Sequence, residues 1–353
     1  MSYTVLNSTL MSGLLGDPEI AEQFSPDAEI TAMLRFESAL AQAEAAAGVI
    51  SKASARQIIA VCEVFDPDRQ QLAFAVERDG ILVPDLIQQL RAAVGGVASA
   101  DVHFGSTSQD VIDTSLILRL KKVNALLNQR LASICTELQH LEDRFGHGKM
   151  MARTRMQSAF HIPIAHRLSQ WSAPIYNLAD GFEEVKAKLH MVQFGGPVGT
   201  LGTFGTNAQN LRQRLAAVLE LGDPRTAWHT DRTRLVHYCF WLSQLATALG
   251  KLGLDILLMA QDERNEIMLD KTGCSSTMAH KKNPVKAEAL LSLSRYISSL
   301  QAEMQRAALH EQERSGSAWT LEWMILPQLC IATGSATRLA EKLIISVQAV
   351  GAR

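Results

Sequence analysis

Apolar side chains recur every three or four residues over long stretches of this chain. One stretch runs from Leu116 to Phe145, and two others run from Leu235 to Ile256 and from Leu290 to Met304. This spacing places the apolar side chains along one stripe of an α-helix. At 1.5 Å per residue, helices of this kind reach roughly 45 Å. The pattern therefore predicts a bundle of long helices.

Shorter helical patterns surround the long ones, and no clear alternating strand pattern interrupts them. We therefore predict an all-α fold, with a smaller helical domain over residues 1–102 and a central long-helix bundle over residues 103–350. The long helices carry apolar residues on more than one face, so we expect several subunits to share the bundle as a homotetramer. The shorter helices are predicted at about residues 27–47, 54–64, 84–93, 164–190, 207–220 and 319–349.

Composition points to a small-molecule partner. The 353 residues are 47% apolar and 20% charged, with 34 Lys plus Arg against 36 Asp plus Glu and no long basic run. Neither nucleic acid nor a membrane surface is indicated. Met1–Leu15 has no basic segment ahead of its apolar residues, so we expect a cytoplasmic protein. The five cysteines lack metal-ligand spacing, and neither a disulfide framework nor a metal site is expected.

Several polar segments stand apart from the helical patterns. Residues 273–284 combine two adjacent hydroxyls, two lysines and an asparagine between a glycine and a proline, a loop of hydrogen-bond donors suited to an anion. Residues 103–114 precede the first long helix and are rich in groups that cap helix N-termini. The other segments are Ala152–Ala159, the glycine-rich turn Phe194–Thr203, and His310–Trp319.

These segments resemble signatures of the fumarase/aspartase superfamily. Residues 273–284 resemble GSSxMPxKxNP, with Cys274 and Ala279 as departures, and residues 103–114 resemble a segment containing TSxDxxDT. The resemblance implies that Ser275 and Ser276 are catalytic, with Ser275 as general base, and that a mobile loop carries them. It also implies a substrate-binding set of His103, Thr107, Ser108, Gln109, Thr154, Gln157, Lys281, Asn283 and Arg314.

Arg155 distinguishes reaction types within that superfamily. It occupies the position at which the lyases have the histidine that protonates their leaving group. In lactone chemistry the leaving group is a carboxylate, with a pKa of about 4, and it departs without a proton. A guanidinium would hold that carboxylate without donating a proton. Arg155 is therefore a catalytic candidate for a cycloisomerase.

Most of the chain, over about residues 3–350, resembles bacterial 3-carboxy-cis,cis-muconate cycloisomerases. The resemblance implies a di- or tricarboxylate substrate, with carboxylate or sulfonate at carbon 3, and neither cofactor nor metal. Those enzymes continue for about another hundred residues, so we expect the small C-terminal helical domain to be absent. The alternatives are an adenylosuccinate- or argininosuccinate-type lyase and a catalytically silent helical scaffold.

Overall fold

The computed structural model describes residues 4–270, 272–278 and 280–351. Lys271 and Ala279, both within the loop singled out above, lie outside the described residues. The described part is predominantly helical, so the prediction of an all-α fold is confirmed. Its α-helices are α1 (Ser12–Leu15), α2 (Pro18–Glu22), α3 (Pro26–Ala46), α4 (Lys52–Val64), α5 (Arg69–Asp79), α6 (Val83–Val94), α7 (Ser108–Phe145), α8 (Ile164–Asp180), α9 (Phe182–Leu189), α10 (Ala208–Leu219), α11 (Thr233–Met259), α12 (Val285–Ala307) and α13 (Ser317–Ile345).

Helix α7 is the longest of these helices, at 38 residues, or about 57 Å at the usual rise. It begins after Thr107, whose backbone N–H donates to the Asp110 carboxylate over 3.1 Å. This contact satisfies a backbone donor at the helix start. The apolar positions that predicted the helix are buried along its length, from Leu116 to Leu141.

Helices α7, α11, α12 and α13 form the bundle. Helix α12 packs along both α11 and α13, and α13 also contacts α7 and α11. Helix α11 has the length and hydropathy of a membrane span, but most of its apolar window is buried inside the protein. The bundle therefore accounts for its apolar surface. The N-terminal helices join this bundle mainly through α3, which packs on α7 and α4.

The sequence shows no clear alternating strand pattern, yet the described residues include four short strands. Two antiparallel pairs are present among the described residues, β1 (Lys149–Thr154) with β2 (Gln157–Pro163), and β3 (Ile267–Leu269) with β4 (Val347–Val350). They are short, and β2 is mostly exposed, so they lack a clear alternation of buried and exposed positions. The helix expected over residues 164–190 is also divided, because α8 ends at Asp180 and α9 begins at Phe182, after Gly181.

Candidate functional site

The start of α7 holds three of the predicted substrate-binding residues. Thr107 and Ser108 are partly buried, so their hydroxyls lie near the surface. Gln109 is fully buried, and its Nε2 donates to the His229 carbonyl over 2.8 Å and to Asp113 over 3.1 Å. Gln109 Oε1 has no hydrogen-bond partner among the described residues. The two hydroxyls are thus the groups here that are most open to a ligand.

Asp110 ties the glycine-rich turn to the start of α7. Its buried carboxylate accepts hydrogen bonds from the backbone N–H groups of Gly195 and Gly196, each over 2.9 Å, and lies 2.8 Å from His229 Nε2. Gly196 has a φ of +68°, and a Cβ there would lie 2.9 Å from the Gly105 carbonyl oxygen. Glycine is therefore required for this close approach of two backbone segments.

Arg314 joins the same cluster from the far end of the chain. Its guanidinium donates to the Pro197 carbonyl in the glycine-rich turn, over 3.1 Å, and the side chain is exposed. The structure therefore places Arg314 against the turn that Asp110 ties to the start of α7.

A buried ion network below this cluster was missed from the sequence. Arg232 donates to Asp113 over 2.7 and 3.0 Å and to Glu322 over 2.8 and 2.6 Å, and all three side chains are at most 1% exposed. Burial alone would lower the pKa of Arg232, but the two carboxylates raise it above its ordinary value. His310 Nε2 lies 3.1 Å from Glu322 Oε1. The network joins α7 to α13 and supports the residues above it.

Asp113 belongs to the network rather than to the helix cap. Residues 103–114 are rich in capping groups, but Asp113 lies too far into α7 to reach the free backbone donors of the first turn. Its partner Arg232 is 119 positions away. No local pattern in the sequence could have indicated this pair.

His103 lies just before α7 and has an unusual backbone. Its φ is +59°, a left-handed backbone value that residues other than glycine seldom adopt. Its Nδ1 lies 2.7 Å from Glu37 Oε1. Burial lowers the pKa of His103, but the charge and the hydrogen bond of Glu37 outweigh burial, and the net shift is upward. His103 is thus held in place from the N-terminal helices.

The second candidate cluster is the tip of the β1–β2 hairpin. Thr154 pairs with Gln157 across a two-residue turn of Arg155 and Met156, whose φ values are +49° and +67°. Positive φ at both central positions is the geometry of a tight hairpin turn. All four residues are exposed, and no hydrogen bond or ion pair reaches Arg155 from the described residues. Below the tip, Arg153 forms an ion pair with buried Glu266.

The third cluster is the loop that leads into α12. Gly273 and Asn283 exchange backbone hydrogen bonds of 2.8 and 3.0 Å, which close the loop at its base. The Oγ of Ser275 accepts from the N–H groups of Thr277 and Met278, over 3.3 and 3.1 Å. Ser276 and Lys281 are exposed. Two amide donors on one serine oxygen favour negative charge on that oxygen, as a serine base requires.

Within one chain the three clusters are not linked to one another by hydrogen bonds or ion pairs among the described residues. Among residues 4–270, 272–278 and 280–351, no hydrogen bond or ion pair joins the hairpin tip or the Ser275 loop to the start of α7. A groove of about 630 Å³ is lined by Lys281, Asn283 and the segment between α11 and β3. A more apolar cavity of about 360 Å³ lies between α3, α7 and α13, but contains none of the predicted site residues. We place the candidate chemistry at the three clusters because they hold the polar groups.

Metal ligands do not cluster in the described part of the chain. No group of three or more His, Cys, Asp and Glu side chains there is arranged to hold a metal ion. The five cysteines are unpaired, and of these Cys274 is exposed.

Comparisons with known proteins agree with the motifs. The chain is 35% identical over 325 residues to the 3-carboxy-cis,cis-muconate cycloisomerase of Pseudomonas aeruginosa, covering 90% of this chain and 70% of that protein. It is 31% identical to the enzyme of the same name from Pseudomonas putida, covering 99% of this chain and 84% of that protein. The crystal structure of a 3-carboxy-cis,cis-muconate lactonizing enzyme from Pseudomonas putida superposes with a TM-score of 0.89 at 32% identity, covering 97% of this chain and 77% of that one.

The family assignment rests on most of the chain. The model of the Lyase family matches residues 17–298, which include all three clusters except Arg314. The chain therefore belongs to the Lyase family, the fumarase/aspartase superfamily of all-helical enzymes.

Proposed function

We propose that this protein is a cycloisomerase that converts 3-carboxy-cis,cis-muconate, or its 3-sulfo analogue, to the muconolactone. The observation that carries the proposal is Arg155, which stands at the exposed tip of the hairpin where the lyases have their general-acid histidine. The names of the similar proteins from two Pseudomonas species support it.

The proposed reaction is an intramolecular addition followed by protonation. One muconate carboxylate oxygen forms a C–O bond to a carbon of the conjugated double bond, and the electron pair moves into the other carboxylate as an aci-carboxylate. The hydroxyl of Ser275 then delivers a proton to the carbon next to that carboxylate. The Ser275 alkoxide then regains a proton from water, so the substrate anion takes up one proton in forming the lactone and no other co-reactant is needed. Positioning and charge stabilisation provide most of the rate enhancement, because both reacting groups belong to one molecule.

Each cluster has a proposed part in this reaction. Arg155 holds the carboxylate that closes the ring, through a charge-assisted two-pronged contact. Lys281 and Asn283 bind the carboxylate that becomes the aci-carboxylate, together with Thr154 and Gln157. Thr107, Ser108 and Arg314 bind the remaining anionic substituent.

The active form is proposed to be a homotetramer in which different subunits supply the clusters to one site. Large apolar side chains are exposed on the bundle helices, and neighbouring subunits would cover them. The separation of the three clusters within one chain supports the same conclusion. The exposed side chains are Phe240 and Leu254 on α11, Tyr296 on α12, and Met324 on α13.

We also propose that the protein acts in the cytoplasm on a soluble substrate. The balanced charge of the chain, with no long basic run, supports action on a soluble substrate. We further propose an N-terminal domain of residues 1–102 and a bundle domain of residues 103–350. Helix α3 of the first domain packs directly on α7 of the second.

An ultraviolet assay of the purified protein tests the proposed activity. The substrates are 3-carboxymuconate, 3-sulfomuconate, unsubstituted muconate, fumarate and adenylosuccinate, and lactone formation is followed through the loss of the conjugated diene absorbance. We expect turnover of a 3-substituted muconate. Turnover of adenylosuccinate alone would indicate a lyase, and no turnover of any compound would favour a silent scaffold.

A further inference from the structure

Glu37 and His103 form a buried pair beside the first cluster. Glu37 lies on α3, and its Oε1 is 2.7 Å from His103 Nδ1. The Glu37 side chain is 1% exposed and the His103 ring is 14% exposed. No hydrogen-bond partner contacts His103 Nε2 among the described residues, so this nitrogen is available to a ligand. His103 is four positions before Thr107, whose neighbour Ser108 begins α7.

The charged groups around the pair are mostly acidic. Besides burial, which opposes a positive charge on the ring, Asp110 of α7 favours that charge and Arg91 of α6 opposes it. Glu44 lies about two turns further along α3, and both Glu37 and Asp101 act electrostatically on it. Glu37 Oε2 and both oxygens of Glu44 have no hydrogen-bond partner among the described residues.

Glu44 is not the residue that supplies a negative charge to the His103 ring. Burial, with a smaller effect from Glu37 and Asp101, raises the pKa of Glu44 to about 9. Glu44 is therefore neutral near pH 7, and Glu37 is the carboxylate that contacts the ring. A buried carboxylate on one imidazole nitrogen favours the doubly protonated ring.

We propose that Glu37 is a positioning residue that holds His103 as an imidazolium, whose Nε2–H then binds a carboxylate of the substrate beside Thr107 and Ser108. The identity of that carboxylate rests on the proposed function. If the ring were neutral with its proton on Nδ1, Nε2 would be an acceptor and would repel a carboxylate. Protonation converts the same nitrogen to a charged donor, so substrate binding weakens as the pH rises through the pKa of His103.

Two glutamates on one helix provide a matched pair of variants. Glu37→Gln removes the charge beside His103, whereas Glu44→Gln replaces a neutral carboxyl by a neutral amide about two turns away. Titration is followed by NMR of the intact protein carrying ring-labelled histidine, with His103→Gln to assign the signal. His190 serves as an internal reference, because burial and the nearby Lys121 and Lys186 lower its pKa to about 4.

We expect Glu37→Gln to lower the pKa of His103 and Glu44→Gln to leave it nearly unchanged, with His190 unaffected in both. The KM for the muconate should rise on the order of tenfold near neutral pH in Glu37→Gln, with a smaller change in kcat. Glu37→Asp keeps the charge, so the His103 pKa and the KM should both return most of the way to their wild-type values. This variant also tests the proposal if Glu37→Gln does not fold.

An unchanged His103 titration in Glu37→Gln would overturn the inference, as would a KM whose pH dependence is the same in wild type and Glu37→Gln. The titration is measured without substrate. A protein that turns over no muconate but shows the expected titration would therefore refute the proposed function and leave the Glu37 effect on His103 intact.

Discussion

Arg155 carries the choice between lactone formation and lyase chemistry. We expect Arg155→Ala to lower kcat roughly ten- to more than a hundredfold, because a desolvated anion would lose a charge-assisted contact worth about 1.5 to 3 kcal/mol. Arg155→His should restore little, since a carboxylate leaving group needs no proton and imidazole lacks the two-pronged donor. The measurement is steady-state turnover of each muconate.

Arg56→Ala is the control for this experiment, because Arg56 is an exposed arginine on α4, far along the chain from all three clusters. It should keep full activity. Full activity in Arg155→Ala on every muconate would remove the leaving-group argument, and only the family assignment would stand.

Glu44 should make the stability of the protein depend on pH. Burial raises its pKa from near 4.5 to about 9, so the folded state keeps a proton that the unfolded chain releases between these values. The stability linked to this proton is fully present below pH 4.5 and is lost towards pH 9, by at most about 1.4 kcal/mol per pH unit. Glu44→Gln should therefore gain stability over wild type as the pH rises from 5.5 to 8.5. Urea unfolding at several pH values measures this, and a constant difference between the two proteins would contradict it.

Metal removal should have no effect on the reaction. The proposed chemistry uses hydroxyl, guanidinium and ammonium groups, and the described residues hold no cluster of metal ligands. Dialysis against EDTA should leave turnover unchanged, and a loss of activity that a divalent metal restores would contradict this.

At the scale of elements, helical periodicity was a sound guide and strand signals were not. The apolar spacing in α7, α11 and α12 extends over many turns, and burial on one stripe produces such spacing directly. The β1–β2 hairpin has no such signal, because its turn contains Arg155 and Met156 where glycine or asparagine is typical. The hairpin matters for function, since its turn carries the residue on which the choice of reaction depends.

Long-range pairs set the limit of what the sequence could indicate. The motifs indicated the three candidate clusters because most residues of each cluster, Arg314 excepted, are close together in the chain. Glu37 and His103 are 66 positions apart, and Asp113 and Arg232 are 119 apart. Such pairs depend on where α3 and the start of α11 lie relative to α7, and local spacing contains no record of that arrangement.

The Ser275 loop is the element that should deliver the proton. Ser275→Ala removes the oxygen that accepts hydrogen bonds from two loop amides. Exchange of the proton on the carbon next to the substrate carboxylate should therefore cease. Substrate affinity should change little, because Lys281 and Asn283 remain. Deuterium incorporation from heavy water into the lactone measures the exchange, and equilibrium binding provides the affinity. Wild-type exchange in Ser275→Ala would require another base.

At the scale of the whole molecule, the separation of the clusters makes subunit exchange informative. If the hairpin and the loop of one site come from different chains, Arg155→Ala and Ser275→Ala damage different subunits of that site. A tetramer that mixes the two variants then contains some sites in which both residues are intact. Random mixing should restore about a quarter of wild-type activity per site, because each intact site needs two particular chains.

The experiment co-refolds or co-expresses the two variants and compares the mixture with each variant alone. Light scattering on the same samples reports the oligomeric state, which should be a tetramer. Met324→Glu places a charge on α13 where a large apolar side chain is 62% exposed, and it should dissociate the assembly and lower activity together. Recovery in the mixture combined with loss in Met324→Glu would support shared sites. An active monomer, or a mixture no more active than its parts, would instead mean that one chain supplies Arg155 and Ser275 to the same site, which would require the hairpin tip and the loop to move together in the substrate complex.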